Sequence, residues 1–176
     1  MNMKKGAGHA KGFTLLELLI VISIIAILSV ALVLILNPAE TLKKSRDTQR
    51  ISDLNTIKTA LGLYLTSTST PWMNGNTDVA CAPWSSSTTT LSVLTDGTGW
   101  LPINLNSLTS GSPISSLPVD PVNSGAMGYA YKCNNTAKTF EVSAVLESSE
   151  YSPRMLNATD GGTDDTRYEV GTNLAL

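Results

Sequence analysis

The chain has 176 residues, of which 42% are hydrophobic and 15% charged, and its formal net charge is −2. That balance gives no reason to expect a nucleic-acid partner. Much of the apolar content lies in one block, so the polar remainder can bury one modest core and is expected to form one soluble domain rather than two.

The block runs from Phe13 to Leu36, behind a short stretch bearing Lys4, Lys5 and Lys11 and ending at Gly12. At about 1.5 Å per residue its helix reaches roughly 36 Å, enough for a hydrocarbon core of about 30 Å. One carboxylate, Glu17, interrupts it. A charged side chain at the centre of a membrane helix costs about 2.5 to 3.5 kcal/mol on insertion scales, so such an acid is first read as functional, with a partner to be named. Snorkelling to the headgroups is the bland alternative. Ser29-Val30-Ala31 could pass for a signal-peptide cleavage site, but the apolar run continues past it and Glu17 breaks the apolar region. Orientation does not follow from charge, because Lys43, Lys44, Arg46 and Arg50 on the far side balance the lysines before Gly12.

Gly12 followed by Phe13-Thr14-Leu15-Leu16-Glu17-Leu18-Leu19-Ile20-Val21-Ile22 resembles the class III leader of type IV prepilins and type II secretion pseudopilins. The resemblance implies cleavage between Gly12 and Phe13 by a membrane prepilin peptidase, with methylation of the Phe13 nitrogen. It also implies that Glu17 pairs with the Phe13 amine of an adjacent subunit. The implied partners are the peptidase, identical or related pilin subunits, an assembly platform protein with its ATPase machinery, and membrane lipid before assembly. The precursor would wait in the cytoplasmic membrane with its head outside, then enter an extracellular or periplasmic filament. No cofactor is required. The implied fold is α+β, with a long N-terminal helix packed by its C-terminal half on a small antiparallel sheet. Residues 1–12 would be the leader, 13–36 the transmembrane and filament-core helix, 37–66 its amphipathic continuation, and 67–176 the head.

At Asn37-Pro38-Ala39-Glu40 the helix must kink or break and restart, since Pro38 removes a donor and disfavours the helical conformation at Asn37. The same residues spell a helix start, with Asn37 as cap and Pro38 first. Ile51, Leu54, Ile57, Leu61 and Tyr64 or Leu65 recur at three- and four-residue steps, which predicts an amphipathic helix from Pro38 to Thr66. Its early turns carry Glu40, Lys43, Lys44, Arg46, Asp47 and Arg50. These read either as a solvated face or, in a filament, as contacts to neighbouring subunits or anionic headgroups, of which the mixed signs favour pairing between subunits.

From Thr66 to about Ser116 the chain is rich in Ser, Thr, Gly, Asn and Pro. Trp72, Trp84 and Trp100 are expected to anchor it to the core, and Leu91-Ser92-Val93-Leu94 is its compact apolar patch. Beyond it, Tyr129-Ala130-Tyr131-Lys132-Cys133 and Phe140-Glu141-Val142-Ser143-Ala144-Val145-Leu146 flank the turn-forming Asn134-Asn135-Thr136-Ala137-Lys138 and predict an antiparallel hairpin. Leu117-Pro118-Val119-Asp120-Pro121 ahead of Tyr129-Ala130-Tyr131 resembles the stretch preceding the sheet in major pseudopilins.

Cys81 and Cys133 are the only cysteines, and in an exported domain they are expected to pair, closing a loop of about fifty residues that contributes on the order of 4 kcal/mol. Zinc lacks further ligands, because the sole histidine, His9, precedes Gly12. Asp160-Gly161-Gly162-Thr163-Asp164-Asp165 gathers three carboxylates around glycines, chemistry that suits calcium. It resembles the C-terminal calcium loop of major pseudopilins, although a solvated acidic turn is the simpler reading. No nucleophile elbow or phosphate-cradling loop appears, so the chain is not expected to be an enzyme. A membrane-anchored extracellular binding domain that never polymerises is the alternative to a filament subunit.

Overall fold

A computed structural model describes residues 12–74, 81, 85–154 and 159–176. The chain divides into two compact units, Met1–Thr41 and Leu42–Leu176. In the first, helix α1 spans Leu15–Leu36 and is capped by Thr14. Asn37 ends it in the left-handed conformation, φ 40°. Helix α2 then begins at Pro38 and runs to Ser67. The backbone N–H of Thr41 returns to the Asn37 carbonyl at 3.2 Å. Of the two outcomes foreseen at Pro38, the structure adopts the break and restart.

In the second unit, Leu54, Ile57, Ala60, Leu61 and Tyr64 of α2 are buried, as the three- and four-residue spacing predicts. They share one cluster with Tyr129, Tyr131, Phe140, Val142 and Val170. The sheet is fully antiparallel, in the order β1 (Ser85–Ser86), β2 (Ala130–Asn134), β3 (Thr139–Ala144), β4 (Tyr168–Gly171). The expected hairpin is β2 and β3, with Cys133 opposite Phe140 and Tyr131 opposite Val142. Asn134 makes the turn by accepting the N–H groups of Thr136 and Ala137. The fold is therefore α+β, a long N-terminal helical segment with a small antiparallel sheet.

The side-chain alternation of the strands divides the sheet into an apolar and a polar face. Tyr131, Val142 and Val170 line the first, and Lys132, Glu141, Ser143 and Glu169 the second. The polar face is nevertheless covered. Arg167 donates to the Ser143 hydroxyl and carbonyl and to the Gly128 carbonyl, while the Leu176 N–H reaches Glu141 Oε2. Glu141, Ser143 and Glu169 are each buried as a result.

The long connection is held by tryptophan, as expected, and by residues the sequence does not mark. Leu91 and Leu94 are exposed, whereas Leu101, Ile103 and Leu105 are fully buried. Trp100 does anchor the core, fully buried, with Nε1 donating to the Pro118 carbonyl at 3.0 Å and its ring 6.2 Å from that of Tyr129. Trp72 is half-buried, and its ring carries Lys138 Nζ at 5.2 Å. Trp84 lies outside the described residues. Cys81 and Cys133 form the expected disulfide, with Cα atoms 5.2 Å apart, and tie the connection to the end of β2.

Candidate functional site

Gly12, Phe13 and Glu17 lie together at the start of α1. A Cβ built on Gly12 meets nothing within 4 Å, so packing in the described fold does not demand glycine there. Phe13 is exposed. Glu17 closes a capping box: Thr14 N–H and Thr14 Oγ1 donate to Glu17 Oε2 at 2.8 and 2.9 Å, and Thr14 Oγ1 accepts the Glu17 N–H at 3.2 Å. The acid thus neutralises orphan donors at the positive end of the helix dipole. Thr14 was not singled out from sequence. Its signal was present as Thr14-Leu15-Leu16-Glu17, the Thr-x-x-Glu pattern ahead of an apolar run.

The rest of α1 has one chemistry. Leu15–Val33 is long and apolar enough to cross a membrane, and none of that surface is buried by the chain itself. Its two serines donate inward, Ser23 to the Leu19 carbonyl and Ser29 to the Ile25 carbonyl. In hydrocarbon every polar group needs an internal partner, and both hydroxyls have one.

Four of the charges early in α2, Lys44, Arg46, Asp47 and Arg50, are paired within their own unit rather than forming a solvated face. Lys44 pairs with Glu150 at 2.5 Å, and Arg46 donates twice to Glu147 at 2.8 and 2.7 Å. Arg50, fully buried, uses Nε and Nη2 on Asp120 at 2.6 and 2.9 Å, and Nη1 on Asp47 at 2.8 Å and Glu147 at 2.6 Å. Asp47 also accepts the N–H groups of Glu147 and Ser148, and Asp120 those of Val122 and Asn123. The fork from Arg46, aided by Arg50, holds the Glu147 carboxyl down to about 2. Burial alone would raise Asp120, but its bonds from Arg50 keep it below the usual carboxylate range. The Asp of Leu117-Pro118-Val119-Asp120-Pro121 is thereby explained as the principal acceptor of Arg50.

The aspartates expected to suit calcium make local contacts in the described structure. Asp160 accepts the Gly162 N–H on Oδ1 and the Glu169 N–H on Oδ2, and Asp164 Oδ1 accepts both the N–H and hydroxyl of Thr166. Asp165 is exposed. Among the described residues no group of three His, Cys, Asp or Glu side chains could hold a metal ion. Asp160 and Asp164 therefore act as turn acceptors in the fold.

Residues 8–33 match the family described as the prokaryotic N-terminal methylation motif. That motif is the one carried by the class III prepilin leaders of type IV pilins and pseudopilins. No curated protein and no solved structure matches the chain. The motif points to a structural subunit rather than an enzyme, and with the apolar α1 to a membrane-anchored pilin-like or pseudopilin precursor.

Proposed function

We propose that the chain is a structural subunit of a type IV pilus or type II secretion pseudopilus, cut between Gly12 and Phe13, methylated on Phe13 and polymerised through α1. One coincidence carries this reading: the motif at residues 8–33 falls on a helix whose whole apolar surface is unburied and whose single acid stands in its first turn. Cleavage exposes an α-amino group with a reference pKa near 7.7 to 8.0, largely cationic around neutral pH. Glu17 meets that amine on the adjacent subunit. At 4 Å and an effective dielectric of about 20, the pair gains roughly 4 kcal/mol before desolvation, comparable to the cost of lodging the acid in lipid. Thr14 engages only one carboxyl oxygen of Glu17, which fits a second partner on the other.

The precursor sits in the cytoplasmic membrane with residues 42–176 outside, and the peptidase, sister subunits, platform protein and ATPase machinery act on it there. Gly12 fits as a recognition residue, because open space surrounds it in the fold. The test is co-expression with and without a prepilin peptidase, read by mass spectrometry of the N-terminus and by electron microscopy of fibres. Mature protein starting at methylated Phe13 and assembling into fibres supports the reading. A chain that remains uncut beside an active peptidase overturns it.

A further inference from the structure

The side of α2 that faces its own unit changes character part-way along. Lys44, Arg46, Asp47, Arg50 and Asp53 meet the unit through charge, Asp53 by accepting the Tyr129 hydroxyl at 2.7 Å. From Leu54 to Tyr64 the contact is apolar. At the centre of the polar half, one guanidinium joins segments that lie 70 and 97 residues away in sequence. A buried ion cluster is weak evidence for stability, since desolvation offsets its Coulomb attraction and apolar residues of similar volume often serve as well. What it supplies is direction. An apolar stripe repeating every three or four residues accepts a partner shifted by one helical turn, about 5.4 Å, with similar burial. A planar fork bound bidentately to one carboxylate does not.

We propose that the Asp47–Arg50–Asp120–Glu147 cluster is a register pin, which fixes the rotation and axial setting of α2 against the turn at 117–123 and the segment at 147–150, and that assembly depends on this setting. The second half rests on the filament reading, because a subunit held by its helix can place its head against neighbours only if head and helix keep one arrangement. Arg50 and Asp120 are then positioning residues for polymerisation. Both carboxylates that flank Arg50 on the helix and turn also accept two backbone N–H groups each, so the pin grips main chain as well as side chain.

The experiment uses the full chain expressed with its peptidase and assembly machinery. Arg50→Lys keeps the charge and removes the fork. The combined variant Asp47→Asn, Arg50→Met, Asp120→Asn removes three of the four charges, leaves Glu147 to Arg46, and keeps oxygen acceptors for the backbone donors. Nitroxide pairs at the exposed positions Thr48 and Thr136 report the distance distribution in membranes, melting reports the fold, and microscopy counts filaments. Both variants are expected to be cleaved and folded, to broaden or shift the Thr48–Thr136 distribution, and to lose filaments. Distributions that match the wild type in both width and position, or undiminished filaments, overturn the pin. If the combined variant fails to fold, Arg50→Lys alone decides. If the unaltered chain builds no filament, the filament reading fails, while the distance measurement still judges the pin.

Discussion

Glu141 on β3 and Glu169 on β4 stand diagonally on the covered face of the sheet, both sealed from solvent, each with one carboxyl oxygen that no donor reaches unless a proton lies between them. Lys132 Nζ approaches Glu141 at 3.4 Å, too far to satisfy it fully. Burial first, and then the neighbouring Glu169, push the Glu141 carboxyl up to about 7. Like charges at such a site cannot both ionise without cost.

Stability of the Leu42–Leu176 unit should therefore decline with rising pH. The folded state holds a proton that the unfolded state releases near 4.5. The contribution is present below that value and is lost as pH rises through about 7. Melting temperatures measured at steps from acid to alkaline pH should fall by several degrees between about 4.5 and 7 and then level off, and Glu141→Gln should flatten that fall. A wild-type profile without the decline would contradict the shared proton.

Glu147 acts in the opposite sense. Its folded value, about 2, lies below the unfolded 4.5, so its contribution is present above 4.5 and lost as pH falls through 2. Acid unfolding of Glu147→Gln should begin with less stability to lose and show a shallower acid limb. Asp120→Ala should be far worse, by about 3 to 5 kcal/mol in denaturant unfolding, because it strands a buried guanidinium.

Glu17→Gln separates charge from capping at the start of α1. Glutamine can close the same box with Thr14, so membrane insertion and cleavage should persist while filaments are lost. Normal filaments from this variant would refute the role of the carboxylate. Gly12→Ala should instead leave uncut precursor on a gel. Thr14→Val should cost about 1 kcal/mol of helix start without preventing cleavage.

Reduction of the Cys81–Cys133 bridge, whose ends are 52 residues apart, should lower the stability of residues 42–176 by about 4 kcal/mol in the loop-entropy account. Melting with and without reductant measures it, and the Cys81→Ser, Cys133→Ser pair should match the reduced protein.

Chelation should leave the melting of the same unit unchanged, because Asp160 and Asp164 already bind backbone donors. A rise in millimolar calcium would show that the loop can rebuild around an ion.

What could be read from sequence was whatever is local. The uniform run before Asn37, the stripe from Leu54 to Tyr64 and the turn at Asn134 each declare themselves within a few residues. Arg50 could not, because its partners Asp120 and Glu147 are distant in sequence, so its charge reads as exposed. Strand β4 was missed because Tyr168-Glu169-Val170 gives too few alternations to stand out. Leu91 to Leu94 is the compact apolar patch of the connection, yet Leu91 and Leu94 are exposed. Adjacency in sequence is not burial, and the residues that fill the core there, Leu101, Ile103 and Leu105, are spaced by polar neighbours or proline.

With Ser23 and Ser29 turned onto their own helix, α1 presents to any companion a rod that is greasy along its length. Two such rods could slide past one another and find nearly equal comfort at many offsets. A single acid near one tip is then the only tick mark on an otherwise blank ruler, and whatever reads that mark decides where the sliding stops.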